Sequence, residues 1–390
     1  DGEVHVWRVD LAQRTVRQPE AVNPITGGRL EEGNVMVPGV VGGAQKSTRS
    51  VLGADASLVR RLGDGSEGAA VTVNHFNDDV GCVVVYGTAK GRLHAVDLRA
   101  KREAFRLVVP PELGLLTATA LGTDKAWCAA GTATGFVCLW DLRYAVLNAV
   151  WRHSAKSKIH RLATCARLPG SPPDAPPSPL AFVAAGGNEV AVWDLHAGGA
   201  CKQCFRAMPP LDGDPRTLDR EALEKRWKLP TLQPIDVPAH PKARLFRVDA
   251  SMLPRPLGRE GDHSMRAIMG RISNHGNSYL ITGGTDTHIR YWDFTSPRSC
   301  YTVSGPHPGM PRPTYDAPAA GDGSAFFVCT DHRAPPPDAL DPADAPHLMQ
   351  RGPVAPPSAH KDAVLDLKSI DLPLKLMLSS SRDGVVKCWR

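Results

Sequence analysis

Hydrophobic and polar positions along this chain fall into short strand-length phrases, each closing on Trp-Asp or a variant of it. The phrases are LHAVDLR (93–99), FVCLWDLR (136–143), EVAVWDLH (189–196), IRYWDF (289–294) and VVKCWR (385–390). A shorter copy, EVHVWRVD, occupies residues 3–10. Their alternation has period two, which predicts half-buried β-strands, because successive side chains of an extended backbone point to opposite faces. Each phrase follows another apolar run and a small-residue turn, so the unit that repeats is a group of strands rather than one strand.

The spacing of the phrases decides what the unit is. Asp97 to Asp141 is 44 residues, and Asp141 to Asp194 is 53, which becomes 42 once the eleven-residue proline-rich insertion PGSPPDAPPSP (169–179) is removed. A repeat of about 40–45 residues is the length of one four-stranded blade, and Trp-Asp is the signature of the WD repeat. The predicted fold is therefore all-β, a WD-repeat β-propeller with proline-rich loop insertions. The next two intervals are longer because they hold insertions at 198–260 and 300–358. Proline donates no ladder hydrogen bond, so these segments are expected on loops.

A propeller of this kind buries polar groups in a relay running from a His before the first strand, through a Ser or Thr and a turn Asp, to the Trp of the third strand. In the last repeat His360, Ser381, Asp383 and Trp389 fit that order. His360 to Trp389 is 29 residues and so is His263 to Trp292, while His153 to Trp193 is 40, or 29 without the insertion. Asp lies six residues before Trp at Asp286/Trp292, Asp383/Trp389 and Asp1/Trp7. Trp140 holds the relay tryptophan of its own repeat, but Lys90, Thr134 and Gly187 stand where three repeats need the turn Asp. Those blades must lean on packing.

Five units end near residues 97, 141, 194, 293 and 389, and residues 1–18 read as the third and outer strands (3–9 and 14–18) of an incomplete blade. A seven-bladed ring would need its first blades from an upstream segment, which would leave this piece with an exposed sheet edge prone to aggregation. Residues 19–48, rich in Gly, read as a linker, and 49–390 as the propeller blades. DREALEKRW (219–227) is a helix candidate inside the first long insertion, and 306–357 is rich in Pro, Ala and Asp and expected to be mobile.

Composition removes other functions more than it adds any. The net charge of +6 comes from 46 basic and 40 acidic residues spread along the chain, so nucleic acid is not an expected partner. No apolar run reaches the ~18 residues of a membrane span, which points to a soluble, intracellular protein without direct membrane insertion. Most of the nine cysteines sit inside apolar strands as small hydrophobes. Cys201 and Cys204 have CxxC spacing with no second pair to complete a zinc site, so no metal and no cofactor is expected. Nucleophile-elbow, zincin, phosphate-loop and kinase catalytic-loop motifs are absent, so no catalytic residue is assigned and the expected role is binding.

Particular phrases carry a closer likeness. HFN (75–77), GTATGFVCLWDLR (131–143), GNEVAVWDL (187–195), TGGTDTHIRYWDF (282–294), RGP (351–353) and SSRDGVVKCWR (380–390) stand in the order and spacing of one family from about residue 50 onward. In these the chain resembles the C-terminal propeller of the regulatory, protein-kinase-like subunit of the class III phosphatidylinositol 3-kinase complex, which acts in autophagy and vacuolar sorting. The resemblance implies a scaffold bound to the lipid-kinase catalytic subunit and a coiled-coil autophagy subunit, peripheral on endosomal, vacuolar and autophagosomal membranes. It further implies a serine/threonine kinase-like domain and a helical solenoid upstream. The insertions at 198–260 and 306–350 differ in content from that family.

A second reading is a substrate receptor of a cullin-type ubiquitin ligase. Trp140-Asp141-Leu142-Arg143 fits the phrase that docks such receptors on their adaptor, and Val96-Asp97-Leu98-Arg99 is a weaker copy. Arg143 and Arg99 are the partner-binding residues of that reading.

Overall fold

The computed structural model describes residues 3–15, 48–61, 68–77, 81–165, 180–208, 229–235, 264–272, 278–304, 313–317, 325–330, 359–370 and 376–389. The chain divides into two compact units, Asp1–Ser66 and Glu67–Arg390.

The first unit is one antiparallel pair. Strand β1 (Glu3–Thr15) lies on β2 (Thr48–Arg61), in register from Glu3↔Arg61 to Thr15↔Thr48, with a bulge between Val6 and Trp7. This corrects the expected break after residue 9: no separate outer strand starts at 14, and residues 48–61 pair with β1 rather than opening a blade. The physical reason is local, since 3–15 contains no Gly or Pro to turn the chain. The expected linker at 19–48 lies outside the described residues up to 47.

The second unit is a β-propeller whose successive sheets follow the repeats. The first sheet is β3 (Ala70–Asn77), β4 (Cys82–Thr88), β5 (Arg92–Asp97) and β6 (Arg102–Val108). The second is β7 (Leu116–Leu121), β8 (Trp127–Thr132), β9 (Phe136–Asp141) and β10 (Val146–His153), and the third begins with β11 (Arg161–Cys165), β12 (Leu180–Ala184), β13 (Glu189–Asp194) and β14 (Ala200–Met208). With β15 (Leu232–Ile235) added to the second, the fourth sheet is β16 (Met265–Ile272), β17 (Ser278–Gly284), β18 (Ile289–Asp293) and β19 (Tyr301–Thr302). Strands β20 (Thr314–Asp316) and β21 (Ala325–Thr330) join the third sheet, and β22 (Val364–Ile370), β23 (Leu376–Ser381) and β24 (Val386–Trp389) form the fifth.

Each of these phrases from 93 onward lies on the third strand of its sheet, and in the second and third sheets that strand is buried on both faces, whereas β24 of the fifth alternates exposed and half-buried residues. Along β9, Phe136, Cys138 and Trp140 pack with the first sheet, while Val137 and Leu139 pack with the third. Both faces of the second and third sheets are covered by their neighbours, so β9 and β13 are buried almost throughout. Alternation here sorts side chains between two interiors instead of between core and water. Burying one such large side chain contributes about 1.5–3 kcal/mol, and the interblade layers therefore hold the fold together.

Close approach of a second strand to the next blade's first strand depends on glycine. A Cβ on Gly131 would come 2.6 Å from the Ile159 side chain, and one on Gly283 would come 2.6 Å from Val364. A side chain at either place would drive adjacent blades apart.

The insertions are not simply loops. Strand β14, inside the 198–260 stretch, is the regular fourth strand of the third sheet, and β15 adds a further edge strand to β10. From the 300–358 stretch, β21 pairs in parallel with β14 and β20 continues from it, making six strands. Pro234 sits in β15 at a sheet edge, where its missing N–H costs no ladder bond. The helix candidate at 219–227 and the insertion at 169–179 lie outside the described residues.

Candidate interaction surface and its polar relays

The Asp of each phrase has a local task. Asp97 Oδ1 accepts the N–H groups of Arg99 (2.8 Å) and Ala100 (3.2 Å), and Asp194 Oδ1 those of His196 (3.1 Å) and Ala197 (3.0 Å). Asp293 Oδ1 does the same for Thr295 (2.8 Å) and Ser296 (3.1 Å), and Asp141 Oδ1 takes Arg143 N–H at 3.0 Å. A carboxylate that satisfies the next backbone donors sets the tight turn into the outer strand.

The fifth sheet holds a relay, with one change of member. Trp389 Nε1–H donates to Ser379 Oγ at 2.8 Å, and Ser379 Oγ lies 2.7 Å from His360 Nε2. His360 Nδ1 is 3.5 Å from Asp383 Oδ2, an electrostatic contact. The Asp383 carboxylate beside Nδ1 favours the tautomer with its proton there, which leaves Nε2 to accept from the Ser379 hydroxyl while Ser379 Oγ accepts from the indole. Asp383 accepts Lys361 N–H at 2.8 Å and Val385 N–H at 2.9 Å, and these backbone donors, Lys361 first, hold its carboxyl down at about 2. Ser381, the residue expected at the centre, instead donates to Asp362 O (2.9 Å) and accepts Asp383 N–H (3.2 Å).

Register explains the substitution. Trp389 faces Met377 across the ladder, and Ser379 is two positions further along β23, on the same face. Trp292 faces Leu280, and two positions on is Thr282, whose Oγ1 accepts the Trp292 Nε1–H at 2.9 Å. The missed signal is thus a Ser or Thr ten residues before Trp. In the third sheet that position is Val183, and Trp193 Nε1 is buried with no hydrogen-bond partner among the described residues. His153 reaches the same tryptophan by its ring alone, edge-on with centroids 5.9 Å apart. Its Nδ1 accepts Ala155 N–H at 3.1 Å, and burial pushes the imidazole down to about 4. Trp140, buried in the second sheet, has Ala130 at the corresponding place.

His263 lies outside the described residues. Asp286, its expected relay partner, takes Arg290 Nη1 at 2.5 Å, with Asn188 Nδ2 of the third sheet's turn at 3.5 Å. Burial raises the Asp286 carboxyl, but the nearby Arg290 and His288 charges outweigh it and leave it below the ordinary range. Arg290, 1% exposed, carries no sequence signal beyond its place two residues before Trp292.

Arg143 is exposed and tied to its own turn, with Nη2 and Nε on Asp141 at 2.6 and 3.0 Å and its guanidinium 5.6 Å from the Tyr144 ring centre. Arg99 follows Asp97 at the equivalent turn of the first sheet. Cys201 and Cys204 lie on β14 and are not joined in a disulfide, and burial raises the Cys204 thiol well above its usual value. Among the described residues no three His, Cys, Asp or Glu side chains gather as metal ligands, and no helix is long and apolar enough to cross a membrane.

Sheets whose third strands end in capped Trp-Asp turns, packed face to face through buried tryptophans and polar relays, define a WD-repeat β-propeller. No family model matches the chain. It is 29% identical over 331 residues, 84% of its length, to "Serine/threonine-protein kinase VPS15" of Arabidopsis thaliana. It is 28% identical over 145 residues, 37% of its length, to "Probable serine/threonine-protein kinase vps15" of Dictyostelium discoideum. The chain spans 21% of the first of these relatives and 6% of the second. A solved structure, the computationally designed Ika8 protein, aligns with 86% of this chain and 61% of its own at a TM-score of 0.39 and 15% identity. The likeness read from the phrases is borne out: over most of its length this WD-repeat propeller is similar in sequence to VPS15 proteins.

Proposed function

We propose that this propeller is a docking scaffold within the regulatory subunit of a class III phosphatidylinositol 3-kinase complex. It binds the lipid-kinase catalytic subunit and the coiled-coil autophagy subunit, and through that complex is peripheral on endosomal, vacuolar and autophagosomal membranes. The segment itself works by binding, and lipid phosphorylation belongs to the partner. The observation that carries the reading is the similarity over 331 residues to VPS15 in a chain whose five phrases from 93 onward form third strands of propeller sheets. Propellers present loops and faces for recognition, and the fold alone names no partner.

The test is co-purification from cells of the whole protein that carries this propeller, intact or lacking 67–390. Recovery of the lipid-kinase catalytic subunit and of lipid-kinase activity should fall by about tenfold or more without the propeller, the loss expected when a central docking surface is removed. Equal recovery from both proteins would overturn the proposal. The ligase reading makes the opposite demand: Arg143→Ala with Arg99→Ala would abolish capture of the cullin adaptor, whereas on the scaffold reading these changes leave lipid-kinase recovery unaltered.

A further inference from the structure

The starts of three neighbouring inner strands bring cations together. His160 immediately precedes β11 and donates its N–H to Ala184 O at 2.8 Å, which seats it at the end of β12. Arg266 is the second residue of β16, and Arg382 follows β23, its N–H on Ala363 O at 3.0 Å at the start of β22. Strand β16 packs against both β11 and β22, so these residues share one mouth of the inner-strand layer. Lys158, two residues before His160, adds a positive charge that acts on the same imidazole.

Arg266 is placed there by a backbone device. Met265 pairs with Gly284 and Ala267 with Gly283, leaving Arg266 as the unpaired residue of a β-bulge. A bulge redirects the side chain that it carries. Arg266 Nε donates to Ser264 Oγ at 3.3 Å, and Ser264 is buried.

The electrostatics of the mouth are unbalanced among the described residues. Burial and then the Arg382 charge lower the Arg266 pKa, and burial, Arg266 and Lys158 press His160 down to about 4. The carboxylate facing the group is Asp362, 4.0 Å from Arg382 Nη1. Further along the same layer Asp366 is already paired with Arg161. Ser157, next to Lys158, keeps a buried hydroxyl with no partner among the described residues. Three permanent cations against one carboxylate repel one another in the free protein, and a bound oxyanion would turn that repulsion into attraction.

We infer that this mouth binds a phosphorylated side chain presented by a protein partner, with Arg266 and Arg382 as the clamping residues and Lys158 beside them. A phosphomonoester carries roughly −1.5 to −2 charges, which matches the excess of cations, and guanidinium forks suit its oxygens. The site lies at the ends of inner strands, with Arg266 partly buried, so a protruding side chain reaches it more readily than the plane of a lipid surface does. It is independent of which complex the propeller joins.

The probe is capped phosphoserine, titrated against capped serine at constant ionic strength and followed by the imidazole proton resonances. Phosphoserine should bind at least about tenfold more tightly than serine, and Arg266→Gln or Arg382→Gln should each weaken it about fivefold or more, as loss of a charge-assisted pair requires. Arg106→Gln, on the outer strand of the first sheet, should leave it unchanged. Removing one of two repelling guanidiniums should leave the melting temperature level or higher, and Arg382→Lys should retain most of the binding. Equal affinity for serine and phosphoserine, or wild-type affinity in both Gln variants, would overturn the inference. So would Arg266-dependent capture on phosphatidylserine vesicles without phosphoserine binding, which would assign the mouth to a lipid surface instead.

Discussion

Trp193 offers the sharpest check on the relay geometry, because it is the tryptophan whose indole N–H is buried with no acceptor among the described residues. Val183 stands where Thr282 and Ser379 stand in the next two sheets, two ladder positions beyond the residue that faces the tryptophan. Val183→Thr keeps the shape of the side chain and places a hydroxyl where the equivalent oxygens accept at 2.9 and 2.8 Å. An unpaired buried donor costs about 1–3 kcal/mol, and the exchanged methyl forfeits roughly 0.8 kcal/mol of apolar burial. The net expectation is a gain of about 1 kcal/mol, whereas Val→Thr in an ordinary core is destabilising. In the Trp193→Phe background the new hydroxyl has no donor to satisfy and should cost about 1 kcal/mol, so the coupling between the sites is about 2 kcal/mol. Urea denaturation of the four proteins measures it. A coupling below about 0.3 kcal/mol, the usual error of additivity, would refute the geometry.

Ser379→Ala strips the acceptor from Trp389 and the donor from His360 and should cost about 2–3 kcal/mol, against about 1 kcal/mol for Ser381→Ala; the reverse order in denaturation midpoints would restore the arrangement expected from sequence. Gly283→Ala puts a Cβ 2.6 Å from Val364 and should destabilise by about 1–3 kcal/mol of overpacking, read as a lowered melting temperature, and a neutral result would mean the blades can separate freely. For pH, His153 titrates at about 4 when folded against 6.5 unfolded, so the unfolded chain takes up the proton first. Its contribution is therefore complete above about pH 6.5 and is lost as pH falls toward 4, up to about 3 kcal/mol. The urea midpoint should fall across that window by less in His153→Gln than in the wild type, and parallel curves would disprove the assignment.

What the chain order determined by itself is the repeat. Trp-Asp phrases at blade-length intervals located every third strand from 92 to 389, because a capping carboxylate at a turn and a buried indole are local requirements written into adjacent residues. The proline-free alternation of 3–15 likewise encodes a strand, though not where it ends. Tertiary structure decided what depends on residues brought across a ladder or between blades. The relay hydroxyl is Ser379 and not Ser381 because register, which spacing to the turn does not reveal, puts it on the indole's face. Strands β15 and β21 arose within proline-rich stretches because open edges of β10 and β14 offered backbone partners to segments with little alternation of their own. The cationic mouth gathers His160, Arg266 and Arg382 from positions more than a hundred residues apart, and only the packing of consecutive inner strands places their charges against one another.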